Sequence, residues 1–199
     1  MFGRAIGCVA FLVIIALAGF AVLSIPPGAK LFKQGAYDHP EQAWRLKSVS
    51  GLQHLYGRLD EKDIDYVTFT VDHPQSIAIS LKNPSADAGF EPLLVVFGPG
   101  LPVPANTPPI DVGSNGAVVM ETVRNKQQPV FEPSELTTYL TGPSHAVDLK
   151  EAGTYAVAVL AKEGKAGRYI LTLGTRSDID FLGQFNLVPG TLKALLRLY

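Results

Sequence analysis

The chain has 199 residues, 17 Lys and Arg against 18 Asp and Glu, a formal charge of −1 and one cysteine. That balance gives no electrostatic footprint for nucleic acid, and one cysteine excludes an intrachain disulfide or a cysteine-built zinc site. The length suits one domain with a sizeable core, and no repeat of fixed period or long run of like charge divides it.

The first element is Ala5–Ile25, AIGCVAFLVIIALAGFAVLSI, which carries no charge and follows Arg4. As a helix it spans about 30 Å, the thickness of a bilayer's hydrocarbon core. Residues 1–25 therefore read as a transmembrane anchor or signal-anchor in contact with membrane lipid. A cleaved signal peptide is the rival reading, with Ala16-Leu17-Ala18 as its site. The full apolar length favours the anchor. Ala5-Ile6-Gly7-Cys8 looks like a lipidation box but lacks the apolar region that export needs before it. Arg4 on one side and Lys30 and Lys33 on the other nearly cancel as orientation signals. The exit Ile25-Pro26-Pro27-Gly28 and the β domain beyond it favour the N-terminus inside. Gly3 and Gly7 are spaced for close helix contact, but at the end of the span they read as small residues tolerated in lipid.

Residues 26–43, with Tyr37-Asp38-His39-Pro40, read as a tether. Trp44, the only tryptophan, opens the domain over 44–185. Strands are expected at Gln53–Leu59, at Asp65–Val71 and at Ser76–Lys82. In the second, Val67, Phe69 and Val71 alternate with Tyr66, Thr68 and Thr70. In the third, Ile77, Ile79 and Leu81 point inward. A period of two marks a half-buried strand. Asp72-His73-Pro74 and Asn83-Pro84 are expected to end these strands. Leu93–Phe97 is continuously apolar, which suits a central strand covered on both faces.

A loop over 98–116 follows, with five prolines between Gly98 and Pro109. Those prolines exclude regular helix and a central strand, and so long a connection in a compact domain is usually functional. Ala117–Thr122 is a further strand, 124–135 is polar, and Leu136–Leu140 and Ala146–Leu149 are short strands around Gly142-Pro143. Thr154–Leu160 and Arg168–Thr175, around a Gly-rich connector, read as a closing hairpin. Over 186–199, Thr191 caps a short amphipathic helix with Leu192, Leu195, Leu196 and Tyr199 on one face. It is expected to pack on the domain, with the lipid surface as the alternative. Short strands with almost no helix predict an all-β sandwich between the two terminal helices.

Tyr56-Gly57-Arg58-Leu59 with Asp63-Ile64-Asp65-Tyr66-Val67-Thr68-Phe69 resembles the opening of bacterial pre-peptidase C-terminal domains. Leu149–Val159 with Gly167–Leu173 is similar to their closing hairpin. The chain also resembles bacterial membrane-anchored envelope proteins that join such a sandwich to a membrane segment. There, a Gly-Pro-Gly-Leu-Pro loop and a Phe-Glu-Pro element lie between the two halves, as Gly98–Pro102 and Phe131-Glu132-Pro133 do here. The resemblance implies a jelly-roll-like, extracytoplasmic antiparallel sandwich. The long insertion between Asn83 and Leu149 departs from the minimal domain.

Candidate chemistry is sparse. Asp60, Asp63 and Asp65 (with Glu61) offer oxygen ligands for calcium, which some relatives of this sandwich bind, but without the Gly-centred loop of an EF-hand. A solvated turn bonding its own backbone is the other reading. His39, His54, His73 and His145 show no ligand-pair spacing. No nucleophile elbow or phosphate loop occurs. Glu91, Glu132 and Glu135 remain as carboxylates for an assembled active site.

The expected role is a non-enzymatic binding or accessory protein on the outer side of a bacterial cytoplasmic membrane, with no cofactor and a protein partner in the envelope. Its contact residues would be Pro99, Leu101, Pro102, Pro104, Pro108 and Pro109, because stiff proline segments lose little entropy on docking, together with Trp44. The alternative is a lectin-like module that stacks envelope glycan on Trp44 or surface tyrosines.

Overall fold

The computed structural model describes residues 29–31, 37–133 and 135–175. The expected span Ala5–Ile25 and the expected helix at 186–199 lie outside these residues. Among the described residues, no helix is long and apolar enough to cross a membrane.

Among the described residues, eleven strands form two sheets. They are β1 (Ala29–Leu31), β2 (Trp44–Arg45), β3 (Gln53–Leu59), β4 (Ile64–Val71), β5 (Gln75–Pro84), β6 (Pro92–Gly98), β7 (Gly116–Glu121), β8 (Pro129–Glu132), β9 (Thr137–Leu149), β10 (Gly153–Ala161) and β11 (Gly167–Gly174). The first sheet runs β1-β3-β11-β5-β9-β8 and the second β2-β4-β10-β6-β7. Within them, β3-β11-β5-β9 faces β4-β10-β6-β7, the strand order of a double-sheet jelly roll. Pairing is antiparallel except at the two N-terminal additions, β1 on β3 and β2 on β4.

The period-two patterns fall where the sequence puts them. Val67, Phe69 and Val71 meet Ile77, Ile79 and Leu81 in the core between the sheets. β6 is buried along its whole length. Leu94 and Val96 enter that core, while Leu93, Val95 and Phe97 join a second cluster on the outer face of the second sheet. Tyr66 also belongs to this outer cluster, under Ala43 and Ile110. Each cluster removes apolar side chains from water, worth roughly 1.5–3 kcal/mol for each large one.

Four expectations are corrected. First, β10 and β11 are not a hairpin. They lie in different sheets, and β10 pairs with β4 and β6 while β11 pairs with β3 and β5. Second, 137–149 is one strand, because a register shift opposite Ser80 and Lys82 absorbs Gly142 and Pro143. Third, β5 runs on through Asn83 and Pro84, which pair with Leu140 and Tyr139. Fourth, the polar stretch 124–135 contains the edge strand β8.

The stretch expected as a tether contributes β1 and then a strap along the second sheet. Tyr66 N–H donates to the Tyr37 carbonyl at 2.9 Å, and Leu46 N–H donates to that of Thr68 at 2.8 Å. Ala43 and Leu46 of this strap are buried.

Candidate functional site

The long loop between β6 and β7 is tied down at its base. The Tyr155 hydroxyl shares its proton between the carbonyls of Pro99 (2.8 Å) and Glu151 (2.7 Å). Leu101 then enters the main core, 8% exposed. Gly116 closes the loop so tightly that a Cβ there would lie 1.9 Å from the Leu101 carbonyl oxygen. Ala117 N–H donates to the Pro102 carbonyl at 2.9 Å. Further along, Asp111 Oδ1 accepts from Gly113 N–H (2.8 Å) and the Asn115 side-chain amide donates to the Val112 carbonyl (3.0 Å). Ile110 is buried on the outer face of the second sheet, with Val112 packed beside it.

Between these two attachments the loop stands away from the sheet and encloses an open groove of about 570 Å³. Leu93, Val119 and Leu160 contribute its strand side, and Pro102, Val103 and Pro104 its loop side. Lys162 and Glu121, paired at 2.6 Å, lie at its margin. Val103 is 89% exposed, the most exposed large apolar side chain among the described residues.

The sequence candidates for partner contact therefore separate. Pro102 and Pro109 are exposed, Pro99, Pro104 and Pro108 are half-buried, and Leu101 is taken up by the core. Trp44 is not among the residues that line the groove. It sits on β2, at the opposite edge of the second sheet from β7, with its ring 5.2 Å from that of Tyr37. Val103, which the proline pattern did not single out, is the apolar side chain the loop offers most openly. Its only sequence signal is its place between Pro102 and Pro104.

The acidic turn resolves differently. Asp60 points outward, 3.9 Å from Arg58. Asp63 accepts from the N–H of Ile64 (2.9 Å) and of Asp60 (3.4 Å), the turn's own backbone. Asp65 turns into the core, 1% exposed, where Tyr169 donates to its Oδ2 at 2.5 Å. The three calcium candidates thus point three ways. No three carboxylate, imidazole or thiol groups among the described residues are gathered to hold a metal ion, and the bonds of Asp63 are those of a turn bonding its own backbone.

Sequence reasoning missed Asp38. The strap brings its carboxyl close enough to Asp63 for its charge to act there. Asp38 Oδ1 and Asp65 Oδ1 are both buried without a hydrogen-bond partner. Burial, then the Asp38 charge, raises Asp63 above the usual carboxylate range. Burial pushes Asp65 up to about 7, against the opposing hydrogen bond from Tyr169.

The carboxylates considered for catalysis do not converge. Glu91 pairs with Arg124, and Glu132 with Lys82 at 3.4 Å. Glu135 accepts from the hydroxyls of both Tyr56 (2.7 Å) and Tyr139. Lys82 lies over the Tyr139 ring, its amine 4.5 Å from the centroid. Burial, then this carboxylate, raises both phenols far above their ordinary value. His54 lies on β3 and His145 on β9, while His39 and His73 lie in connecting segments, and His54 Nδ1 meets Thr172 Oγ1 at 3.0 Å.

No family model matches the sequence, and no curated protein matches it. The sandwich is similar to solved structures. One is the pre-peptidase C-terminal domain of collagenase from Bacillus anthracis, with 18% identity and a TM-score of 0.43 over 68% of this chain and 97% of that one. Another is PliG of Aeromonas hydrophila, a periplasmic inhibitor of g-type lysozyme, with 12% identity and a TM-score of 0.41 over 74% and 99%. A third is the secreted copper-binding protein MopE of Methylococcus capsulatus, with 11% identity and a TM-score of 0.30 over 60% and 72%. These likenesses concern the fold of the sandwich.

Proposed function

We propose that this is a non-enzymatic, membrane-anchored binding or accessory protein of the bacterial envelope. Residues 5–25 hold it in the cytoplasmic membrane, with the sandwich on the outer side. The groove under the Pro-rich loop receives an apolar segment of a protein partner in a larger membrane complex. The observation that carries this reading is the groove itself. Its floor is built from β10, β6 and the edge strand β7, and its wall is a proline segment fixed at both ends. Such a wall loses little conformational entropy on docking. Val103 stands out from it as an apolar anchor.

Site-specific photo-crosslinking tests this. A photoreactive residue at position 103 of the full chain, in native membranes, is expected to give one discrete adduct. The adduct should disappear when Val119→Asp is introduced into the groove floor and persist with Lys47→Asp, on the strap at the far edge. Adducts that do not respond to Val119→Asp would remove the groove as the binding site. Protease protection in spheroplasts tests the side of the membrane: an inaccessible sandwich would overturn the assignment.

A further inference from the structure

We propose that the sandwich stands on the bilayer by the end at which β1 begins, held there by the short link 26–28, and that the groove therefore takes a juxtamembrane segment of its partner. This rests on the anchor and the groove proposed above. The chain leaves the apolar stretch at Ile25 and enters β1 at Ala29, with only Pro26, Pro27 and Gly28 between. Such a link reaches at most about 14 Å from Ile25 to Ala29. Its two prolines keep it stiff. β1 is part of the first sheet, in register with β3 from Ala29 opposite His54 to Leu31 opposite Tyr56. The hydrogen-bonded body of the protein therefore begins within about 14 Å of the end of the span.

Strand registers show which other residues share that end. His54 lies opposite Thr172, and Thr172 opposite Ser80. Gln75, at the start of β5, lies opposite Leu149, at the end of β9. The turns 72–74, from β4 to β5, and 150–152, from β9 to β10, therefore lie on the same end as Ala29. So does the root of the Pro-rich loop, because Tyr155 near the start of β10 bonds the carbonyls of both Pro99 and Glu151. Asp72, His73, Lys150 and Glu151 are exposed there. Such a polar end of mixed charge suits phospholipid headgroups rather than hydrocarbon, and Lys150 can meet a headgroup phosphate. The opposite end carries the Asp60-Glu61-Lys62-Asp63 turn between β3 and β4. Its acidic excess is disfavoured beside anionic headgroups, which keeps the sandwich from lying down along its β1 edge.

The groove begins at this same end. Pro102 and Ala117 form its near part, while Leu93, Leu160 and Glu121 form its far part. β7 runs along it for six residues, about 20 Å. Link and strand together put the whole groove within about 35 Å of the bilayer. An extended chain covers that distance in about ten residues. The apolar segment that enters the groove is therefore one that directly follows or precedes a membrane span of the partner.

The full chain in phospholipid vesicles tests this, with a nitroxide on the lipid headgroups as quencher. A fluorophore is attached at His73→Cys in one variant and at Glu163→Cys in another, each in a Cys8→Ser background. Position 163 lies in the turn after β10, a strand of nine residues, and so about 30 Å from the near end. Quenching is expected to be about threefold stronger at 73 than at 163. A Gly-Ser spacer of about twelve residues between Pro27 and Gly28 should bring the two values together. The position-103 crosslink, mapped by mass spectrometry, should fall within about ten residues of an apolar span of the partner.

Equal or reversed quenching in chains without the spacer overturns the orientation. Quenching at 73 that survives the spacer overturns the link as its cause. A crosslink mapped far from any span of the partner overturns the juxtamembrane segment. Failure of the chain to float with the vesicles removes the anchor, and absence of the adduct removes the groove, so each reading on which this one rests fails by a readout of its own.

Discussion

Tyr169 of β11 crosses from one sheet to the other to donate its hydroxyl to Asp65 of β4, at 2.5 Å in the middle of an otherwise apolar core. Gly57 makes the crossing possible. It occupies an inward position between Leu55 and Leu59 on β3, and a Cβ there would lie 2.3 Å from the Tyr169 ring. Burial of this carboxyl, which the bond only partly offsets, decides how the core responds to pH. Burial raises the Asp65 carboxyl from 3.8 to about 7, so the native state holds a proton that the unfolded chain gives up. Stability from this group is fully present below about 4 and is lost as pH rises through about 7. The total is on the order of a few kcal/mol. Urea denaturation at pH 5 and pH 8 should show the chain less stable at the higher pH, and Asp65→Asn should flatten the difference. A steeper loss in Asp65→Asn would show that another group carries it.

Removing the other partner has a different signature. Tyr169→Phe leaves Asp65 Oδ2 as well as Oδ1 buried without a donor, which costs about 1–3 kcal/mol and more once the carboxyl is ionised. Denaturation midpoints should therefore drop in Tyr169→Phe at both pH values, with the larger drop at pH 8.

Gly57→Ala tests the crossing itself. The methyl group must displace a ring that is buried and fixed to Asp65. A loss of about 1–3 kcal/mol is expected from overpacking, read as a lower melting temperature. Gly89→Ala is the control, because a Cβ there meets nothing within 4 Å.

The Pro-rich loop has an inner and an outer side that mutation should separate. Leu101→Ala removes a side chain from the main core and is expected to cost about 2–5 kcal/mol. Val103→Asp alters an exposed position and should change stability by less than about 0.5 kcal/mol. Thermal melts of the two variants check this directly. Equal destabilisation would show that Val103 also belongs to the packed structure.

Arg168 ties β11 to the segment after β5. Its backbone N–H and guanidinium Nε both meet Asp87 Oδ2, at 3.0 and 2.9 Å, and the hydrogen bond from this arginine leads the causes that hold Asp87 below the usual carboxylate range. Here the sign reverses. A lowered carboxyl adds stability that is present above its unfolded value and is lost as pH falls through the lowered one. Arg168→Ala should therefore cost stability near neutral pH, with the deficit from the wild-type chain narrowing as pH falls below about 4, as read by urea denaturation followed by circular dichroism.

Much of the β architecture was legible because alternation is a local property. Val67, Phe69 and Val71 announce a half-buried strand whatever their partners are, and Leu93–Phe97 announces a strand covered twice. Partners are another matter. The connector around Gly164 has the composition of a hairpin turn, yet it carries the chain from one sheet to the other, since β10 and β11 each find better-matched neighbours far away in sequence. Gly142 and Pro143 read as a break, and only the register opposite Leu81 turns them into a bulge within one strand.

The sequence by itself determined the class of the fold, the position of most strands, the place of the long Pro-rich loop and the absence of the usual catalytic motifs, because each depends on residue type and short-range spacing. Tertiary structure alone decided that Leu101 faces inward while Val103 faces outward, that Asp60, Asp63 and Asp65 part company, and that Asp38 joins them from a segment expected to be a tether. Those outcomes rest on which distant strands become neighbours, and burial and charge act between neighbours in space rather than along the chain.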